Sequence, residues 1–189
     1  KNIQKYAVYK YPQTRKKAMK AKKVNLKFFP EGGNLVKGVP SQVAFEATDA
    51  YGNPITLFGR IINRRKEEIG HFATIHEGRG VFTYIPTGED ADKAEVELGG
   101  KKYRFDLPEV CSQGYVLHVD NLTSEDSIAV SVQKNTYTPS NLLGLAVIAH
   151  GKLLNSCLLN VGKNTPVSFK LDKSEWTPGV VQLVLFDTA

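Results

Sequence analysis

LKFFPEGGNLV, residues 26–36, ends a basic leading segment and begins a long series of short alternating strands. Pro30, Gly32 and Gly33 form a turn cluster, because glycine readily adopts the positive φ that many tight turns require. We therefore place the start of a folded module just before this stretch, at residue 24.

Apolar residues recur at every second position in the runs that follow, which is the pattern of half-buried strands. The clearest run is 42–49, where Val43, Phe45 and Ala47 share one face. Seven short strands with turn residues between them are typical of an immunoglobulin-like sandwich. Residues 24–109 are therefore predicted to form a first seven-stranded β-sandwich.

The strongest hairpin signal is the pair Gly99-Gly100, because a two-residue loop needs positive φ at its centre. A second set of strands follows it, and the runs lie at 115–119, 127–134, 142–150, 152–160, 166–171 and 180–187. These predict a second β-sandwich over residues 110–189. The first module ends in a hairpin of two strands, whereas the second has only one strand, at 180–187, in the corresponding place. One strand of the second sandwich is therefore predicted to be missing.

Residues 142–149 are nearly all apolar, which predicts a central strand covered on both faces. The missing strand would leave an exposed edge in the same module. We therefore expect edge-strand association between copies, for instance with the tyrosine-rich segment at residues 6–11 of a neighbouring copy.

The net charge of +6 is unevenly distributed. Residues 1–23 hold nine of the 25 Lys and Arg and no Asp or Glu, so the remainder has 16 basic against 19 acidic residues. We predict that this segment is a basic linker and the tail of a preceding domain, not a nucleic-acid-binding surface. No run of 18 apolar residues occurs, so membrane insertion is not expected either.

Several stretches resemble the tandem macroglobulin-like (MG) domains of large cell-envelope proteins in Bacteroidetes-type bacteria. These are residues 28–36 and 40–45, DAYGNP at 49–54, GRGVF at 78–82, and FDLPEV at 105–110 with Gly114 and Tyr115. Tyr9-Lys-Tyr-Pro12 is similar to the last strand of a preceding MG domain.

The resemblance implies two tandem immunoglobulin-like or macroglobulin-like β-sandwich domains in a secreted, periplasmic or cell-surface protein. The role that it implies is a non-catalytic scaffold or protein-interaction module. Its partners would be the flanking domains of the same parent chain and other envelope proteins. The Cys-Gly-x-x-Gln thioester of alpha-2-macroglobulin relatives is not found at Cys111, which Ser112, Gln113 and Gly114 follow.

No catalytic residue, cofactor site or metal site is predicted. The chain lacks the motifs of a nucleophile elbow and a phosphate loop, and an enzymatic role is not expected. An acidic loop at Glu89, Asp90 and Asp92 could hold Ca²⁺ through its oxygens, but it lacks the spacing of a calcium loop. Structural or surface roles are expected for the histidines, His71, His76, His118 and His150.

The alternative function is a carbohydrate-binding accessory module of a glycan-utilisation protein. Most of the aromatic residues occupy alternating strand positions that favour a place in the core. Trp176 is the exception, since it lies beside Pro178 and Gly179 in a turn, and it is the candidate ligand contact. The cysteines, Cys111 and Cys157, are either disulfide-bonded or free, and in the second case Cys157 is expected to be buried.

Overall fold

The computed structural model describes residues 24–88, 92–162, 166–174 and 176–187, and within them the fold is all-β, as predicted. No helix in these residues could cross a membrane. The predicted linker at 1–23 lies outside the described residues. The first eight strands are β1 (Asn25–Pro30), β2 (Leu35–Val36), β3 (Ser41–Thr48), β4 (Phe58–Ile62), β5 (Glu68–Ala73), β6 (Arg79–Tyr84), β7 (Lys93–Leu98) and β8 (Lys101–Asp106). The others are β9 (Val110–Cys111), β10 (Tyr115–Asp120), β11 (Ser127–Lys134), β12 (Leu142–Ala149), β13 (Lys152–Asn160), β14 (Val167–Asp172) and β15 (Val181–Asp187).

The first sandwich packs the sheet β1-β3-β6 against the sheet β5-β4-β7-β8, with every strand pair antiparallel. The alternation predicted at β3 is confirmed, because Val43, Phe45 and Ala47 are all buried. Their side chains meet those of the facing sheet, among them Ile61 and Val96, in one hydrophobic core.

Four phenylalanines form the centre of this core. Phe45 and Phe72 meet edge to face with their ring centroids 4.9 Å apart, and Phe28 makes similar contacts with Phe72 and Phe82 at 6.1 Å. Such pairs add to the stabilisation from burial alone. Phe28 belongs to the stretch at 26–36, which therefore contributes directly to the core.

The second sandwich packs the sheet β10-β11-β14 against the sheet β13-β12-β15, and these pairs are also antiparallel. Its core is aliphatic: Val130 and Val132 of β11 and Leu143, Leu145 and Val147 of β12 are 1% exposed or less. The β-branched and leucine side chains on alternate positions produce this arrangement, since alternate residues of a strand point to one face.

The two sandwiches have the same strand order. In each, the first, second and fifth main strands form one sheet (β1-β3-β6 and β10-β11-β14). The third, fourth and sixth lie in the other, as β4, β5 and β7 or as β12, β13 and β15. The seventh strand of the first sandwich, β8, has no counterpart in the second among the described residues. The domain boundaries, including the one between 109 and 110, stay a prediction.

Two details differ from the sequence-based predictions. The alternation after the turn at 51–54 predicts a strand over residues 55–63, but β4 covers only Phe58–Ile62. At Leu57 the backbone N–H donates to the Thr74 hydroxyl oxygen at 3.0 Å instead of to a strand neighbour. The outer face of β12 is not fully covered: Leu142 is 45% exposed, and Ala146 and Ile148 are half-buried.

The prediction of a buried Cys157 was wrong. Both Cys111 and Cys157 are free, and Cys157 is exposed although it is paired with the buried Leu145 of β12. β13 is an edge strand, and eight of its nine residues are exposed. The facing sheet therefore does not extend over the position of Cys157.

Candidate functional site

The turn after β1 joins the two sandwiches. Glu31 Oε2 lies 2.6 Å from Nδ1 of His118, and Glu31 Oε1 accepts the backbone N–H of Val119 at 2.8 Å. Gly32, with φ of +78°, lies against the backbone of Leu117. One carboxylate therefore holds two groups of β10 from the other sandwich.

A short parallel strand pair and an apolar contact support the same junction. β2 pairs with β9, and the backbone N–H of Lys37 donates to the carbonyl of Cys111 at 3.0 Å. Val36, Val39 and Val116 form a small buried cluster in which no residue is more than 4% exposed. Because Val116 belongs to β10, this cluster also joins the two sandwiches.

Asn135 forms a second polar connection across the junction. Its side-chain N–H₂ donates to the carbonyls of Lys37, at 3.2 Å, and of Ser112, at 2.7 Å. Its Oδ1 accepts from the Thr138 hydroxyl at 2.6 Å, and Thr138 Oγ1 in turn accepts the backbone N–H of Gly114 at 2.8 Å. The segment between β9 and β10 is thus fixed by two side chains of the 135–141 loop.

The buried side chain of Lys134 holds the 135–141 loop in place. The side chain is 0% exposed, and its ammonium donates to the carbonyls of Thr138 and Ser140, both at 2.8 Å, and to Asn141 Oδ1 at 2.5 Å. A buried ammonium is costly unless its donors are satisfied, and here three oxygens accept from it. The loop conformation that carries Asn135 depends on this group.

A groove runs beside the junction and encloses about 460 Å³. One wall is a row across three strands, Phe29, Ala44 and Val81, which are paired neighbours on the outer face of the first sandwich. Residues 118–122 form the other wall; the side chain of Val119 packs into the second core, whereas Leu122 is 97% exposed. The groove therefore offers apolar surface from both sandwiches.

Asp120 shapes the loop at the rim of this groove. Its carboxylate accepts the hydroxyl of Thr123 and the backbone N–H groups of Leu122 and Thr123. These hydrogen bonds lower the pKa of Asp120, and the one from the Thr123 hydroxyl has the largest effect. The ionised carboxylate holds the loop that presents Leu122.

A separate charged cluster lies on the outer face of the first sandwich. Glu95 is 4% exposed and accepts from Arg60 at 2.6 Å and from Arg104 at 2.9 Å, with Lys102 3.5 Å away. The hydrogen bonds from Arg60 and Arg104 lower the pKa of Glu95 to about 2. These residues occupy neighbouring positions on β4, β7 and β8, so the cluster joins three strands.

The candidate calcium loop is only partly described, since Glu89 and Asp90 lie outside the described residues. Asp92 is buried and accepts from the Tyr84 hydroxyl at 2.5 Å. Burial is the largest cause of a raised pKa of Tyr84, and this hydrogen bond raises it further. In the described part of the chain, no three His, Cys, Asp or Glu side chains are grouped so as to hold a metal ion.

Trp176 is half-buried and packs against the hydrophobic core of the second sandwich. Its backbone N–H donates to the carbonyl of Lys173 at 2.9 Å, as in a turn. The structure brings none of the junction residues to it. Its proposed role in carbohydrate binding stays a prediction.

The junction residues were not selected by sequence reasoning, which assigned His118 only a structural or surface role. One signal was available for Lys134. It follows Ile128, Val130 and Val132 at the same two-residue spacing, which places it on the inward face of β11.

No protein-family model matches the chain, and no curated protein matches it. Among solved structures, it is similar to the native conformation of E. coli alpha-2-macroglobulin, determined by single-particle cryo-EM. The identity is 13% and the TM-score 0.32, and the match covers 85% of this chain. The chain spans 14% of the length of that protein. A likeness of this degree carries no argument about function.

Proposed function

We propose that this chain is a non-catalytic scaffold and protein-interaction unit of a larger secreted or periplasmic envelope protein. In this proposal its two sandwiches keep one relative orientation, so that surfaces on both are presented together. The observation that carries it is the bidentate contact of Glu31 with His118 and Val119 across the junction.

Three kinds of contact support a fixed orientation. The Glu31 contact is polar, the cluster of Val36, Val39 and Val116 is apolar, and Asn135 ties the loop around Lys37 to the second sandwich. Domain motion is the default across a small interface, so the fixed orientation depends on these contacts, each of which opposes a hinge motion at the segment between β9 and β10.

The groove supports the interaction role. The groove brings the apolar row of Phe29, Ala44 and Val81 together with the exposed Leu122, so a partner that fills it would contact both sandwiches. Such a groove keeps its shape only if the junction is rigid. The two parts of the proposal, fixed orientation and partner binding, therefore depend on the same residues.

The envelope location, the flanking domains of the same parent chain and the kinship with tandem MG domains are proposed from the residues that resemble that family. Locating the full-length parent protein by cell fractionation tests the compartment. Recovery of the parent in the cytoplasmic fraction would contradict it.

The orientation is tested by small-angle X-ray scattering together with NMR relaxation of the full chain. We expect a single rotational correlation time for both sandwiches, and scattering that one arrangement fits. The variant Glu31→Ala with Asn135→Ala should broaden the distance distribution and give the sandwiches separate correlation times.

The matched control is Glu46→Ala, which removes a carboxylate that pairs with Arg79 within the first sandwich, 3.1 Å away. It should leave the scattering unchanged. Independent tumbling of the two sandwiches in the unaltered chain would rule out the fixed orientation.

A further inference from the structure

β13 is the longest of the described strands and forms one edge of its sheet. In the described part of the chain it pairs only with β12, and eight of its nine residues are exposed. Three of the exposed residues are leucines, with Leu153 61%, Leu154 43% and Leu158 67% exposed. The strand therefore presents apolar side chains along an edge whose backbone can pair with a further strand.

Edge strands are usually protected against such pairing by charged side chains, by proline or by short length. β8, at the edge of the larger sheet of the first sandwich, has four charged residues among its six. β1, another edge strand, includes Lys27 and Pro30. In β13 the one charged residue is Lys152, at the first position, and there is no proline. Its remaining eight positions carry no charge that would oppose a neighbouring strand.

The outer face of the sheet beside this edge is apolar as well. Val184 and Phe186 of β15 are 41% and 46% exposed, and they pair with Ala146 and Gly144 of β12. The Phe186 ring lies over Gly144, where a Cβ would be 2.2 Å from Cζ of the ring. The corresponding face of the first sandwich holds the charged Glu95 cluster instead. The second sandwich thus differs from the first in both its edge and its outer face.

The sequence of β13 indicates what fits this edge. Leu153-Leu154 and Leu158-Leu159 lie at equal distances on either side of Ser156, so the leucine pattern is the same in both directions. Antiparallel pairing of two copies about Ser156 places leucine opposite leucine and Lys152 opposite the uncharged Asn160. The lysines of the two copies then lie at opposite ends of the pair and do not repel each other. The edge is therefore complementary to itself.

We propose that two copies of this chain associate through β13, which pairs antiparallel with β13 of the second copy about Ser156. The contact is isologous, because the same residues contribute on both sides, and it closes as a dimer. It joins two three-stranded sheets into one sheet of six strands. This self-association goes beyond the proposed scaffold role and does not depend on the junction between the sandwiches.

A β-bulge in β13 leaves the centre of the proposed pair regular. Val147 and Ile148 of β12 pair with Asn155 and Leu153, so Leu154 has no residue of β12 directly opposite it. Residues 155–160 pair with β12 in continuous register. In the dimer Leu154 lies opposite Leu158 of the second copy, and cross-strand pairs of large apolar side chains stabilise a sheet.

Sedimentation velocity of the full chain over a range of concentrations tests the proposal, with hydrogen exchange mapped by mass spectrometry. We expect a monomer–dimer equilibrium in which the amides of β13 gain protection as the dimer forms. The variant Leu154→Lys with Leu158→Lys should weaken association at least about tenfold, because it introduces charges of like sign along the paired edge. Both leucines are exposed, so the fold should persist, and circular dichroism checks this.

Val184→Lys is the matched control. Val184 belongs to the same sheet and is as exposed as Leu154, but β15 lies on the other side of β12 from the free edge. Its replacement should leave association unchanged. Equal weakening by the control would show that the outer face is the contact and would overturn the proposal. A chain that stays monomeric at every concentration, or protection that appears on another strand instead of β13, would also overturn it.

The variant Glu31→Ala with Asn135→Ala separates this proposal from the fixed orientation of the sandwiches. It removes junction contacts and leaves β13 unaltered, so it should dimerise as the unaltered chain does. A loss of dimerisation in this variant would contradict an association that depends on β13 alone.

Oxidative crosslinking tests the register. In a chain with Cys111→Ser and Cys157→Ser, the change Ser156→Cys places two thiols directly opposite each other, with their Cα atoms about 4.5–5.5 Å apart. That separation permits a disulfide, so we expect a covalent dimer. In the unaltered chain Cys157 lies opposite Asn155 and about 7–8 Å from its own copy, so it should crosslink far less. Crosslinking through Cys157 but not through residue 156 would overturn the proposed pairing.

Discussion

The ring of Phe72 lies over Gly59, its partner across β4 and β5, so closely that a Cβ at residue 59 would be 2.3 Å from Cζ of the ring. Phe72 is 1% exposed and packs edge to face on Phe45. The ring therefore has no free space into which it could move. Glycine at this position is a condition for the aromatic core.

Gly59→Ala is expected to destabilise the first sandwich by about 1–3 kcal/mol, the usual cost of forcing extra volume into a packed core. The free energy of unfolding in urea measures this. Gly70→Ala is the control, because a Cβ there would meet only Ile61, at an ordinary distance of 3.8 Å. Equal destabilisation by the two changes would show that the strand backbone, and not the Phe72 ring, is responsible.

The Glu95 cluster predicts how stability depends on pH. Hydrogen bonds from Arg60 and Arg104 lower the pKa of Glu95 to about 2, below its ordinary value of 4.5. The unfolded chain therefore takes up this proton at a higher pH than the folded chain does. The stabilisation is fully present above pH 4.5 and is lost as the pH falls towards 2.

Glu95→Gln should thus lower the stability of the first sandwich at pH 7 and flatten the fall of stability between pH 4.5 and 2. Urea unfolding at several pH values measures both effects. Glu97→Gln serves as the control, since Glu97 is exposed on the same strand. If Glu95→Gln left the slope against pH unchanged, the cluster would not be the source of the acid sensitivity.

Local patterns predicted much of the fold. The pair Gly99-Gly100 does form the hairpin between β7 and β8, with Leu98 paired with Lys101, because a two-residue loop depends on its own backbone conformation. The inward residues of β3 were also correct. Both predictions needed only neighbours in the sequence, and for such features alternation and turn chemistry are enough.

The junction could not be predicted in this way. Glu31 and His118 are 87 positions apart, and their contact depends on how two separately folded sandwiches meet. The exposure of Cys157 depends on how far the facing sheet extends, which strand alternation does not show. Lys134 was the one junction residue with a local signal, its inward position on β11.

Replacing Trp176 distinguishes a packing role of this side chain from a role in carbohydrate binding. Trp176→Ala should destabilise the second sandwich by about 1.5–2.5 kcal/mol, roughly half the cost for a fully buried aromatic residue, because its ring is half-buried against the core. Thermal unfolding measures this, and a polysaccharide pull-down with the same variant measures binding. Tyr137→Ala is the control, since Tyr137 is 59% exposed. Unchanged stability with lost polysaccharide binding would support the carbohydrate-binding alternative.

Lys134→Met tests whether the buried ammonium of Lys134 stabilises the 135–141 loop. Methionine fills a similar volume but leaves the carbonyls of Thr138 and Ser140 without their donor, and each buried acceptor left unpaired costs about 1–3 kcal/mol. We therefore expect a clear loss of stability in the second sandwich and faster hydrogen exchange in residues 135–141. Lys170→Met, at an exposed position on β14, should change neither.

Because Asn135 is carried by this loop, the Lys134 variant should also loosen the junction, and its scattering should move towards that of the Glu31→Ala, Asn135→Ala variant. Loss of stability with an unchanged junction would mean that Asn135 is held in place by Thr138 and Ser112 alone.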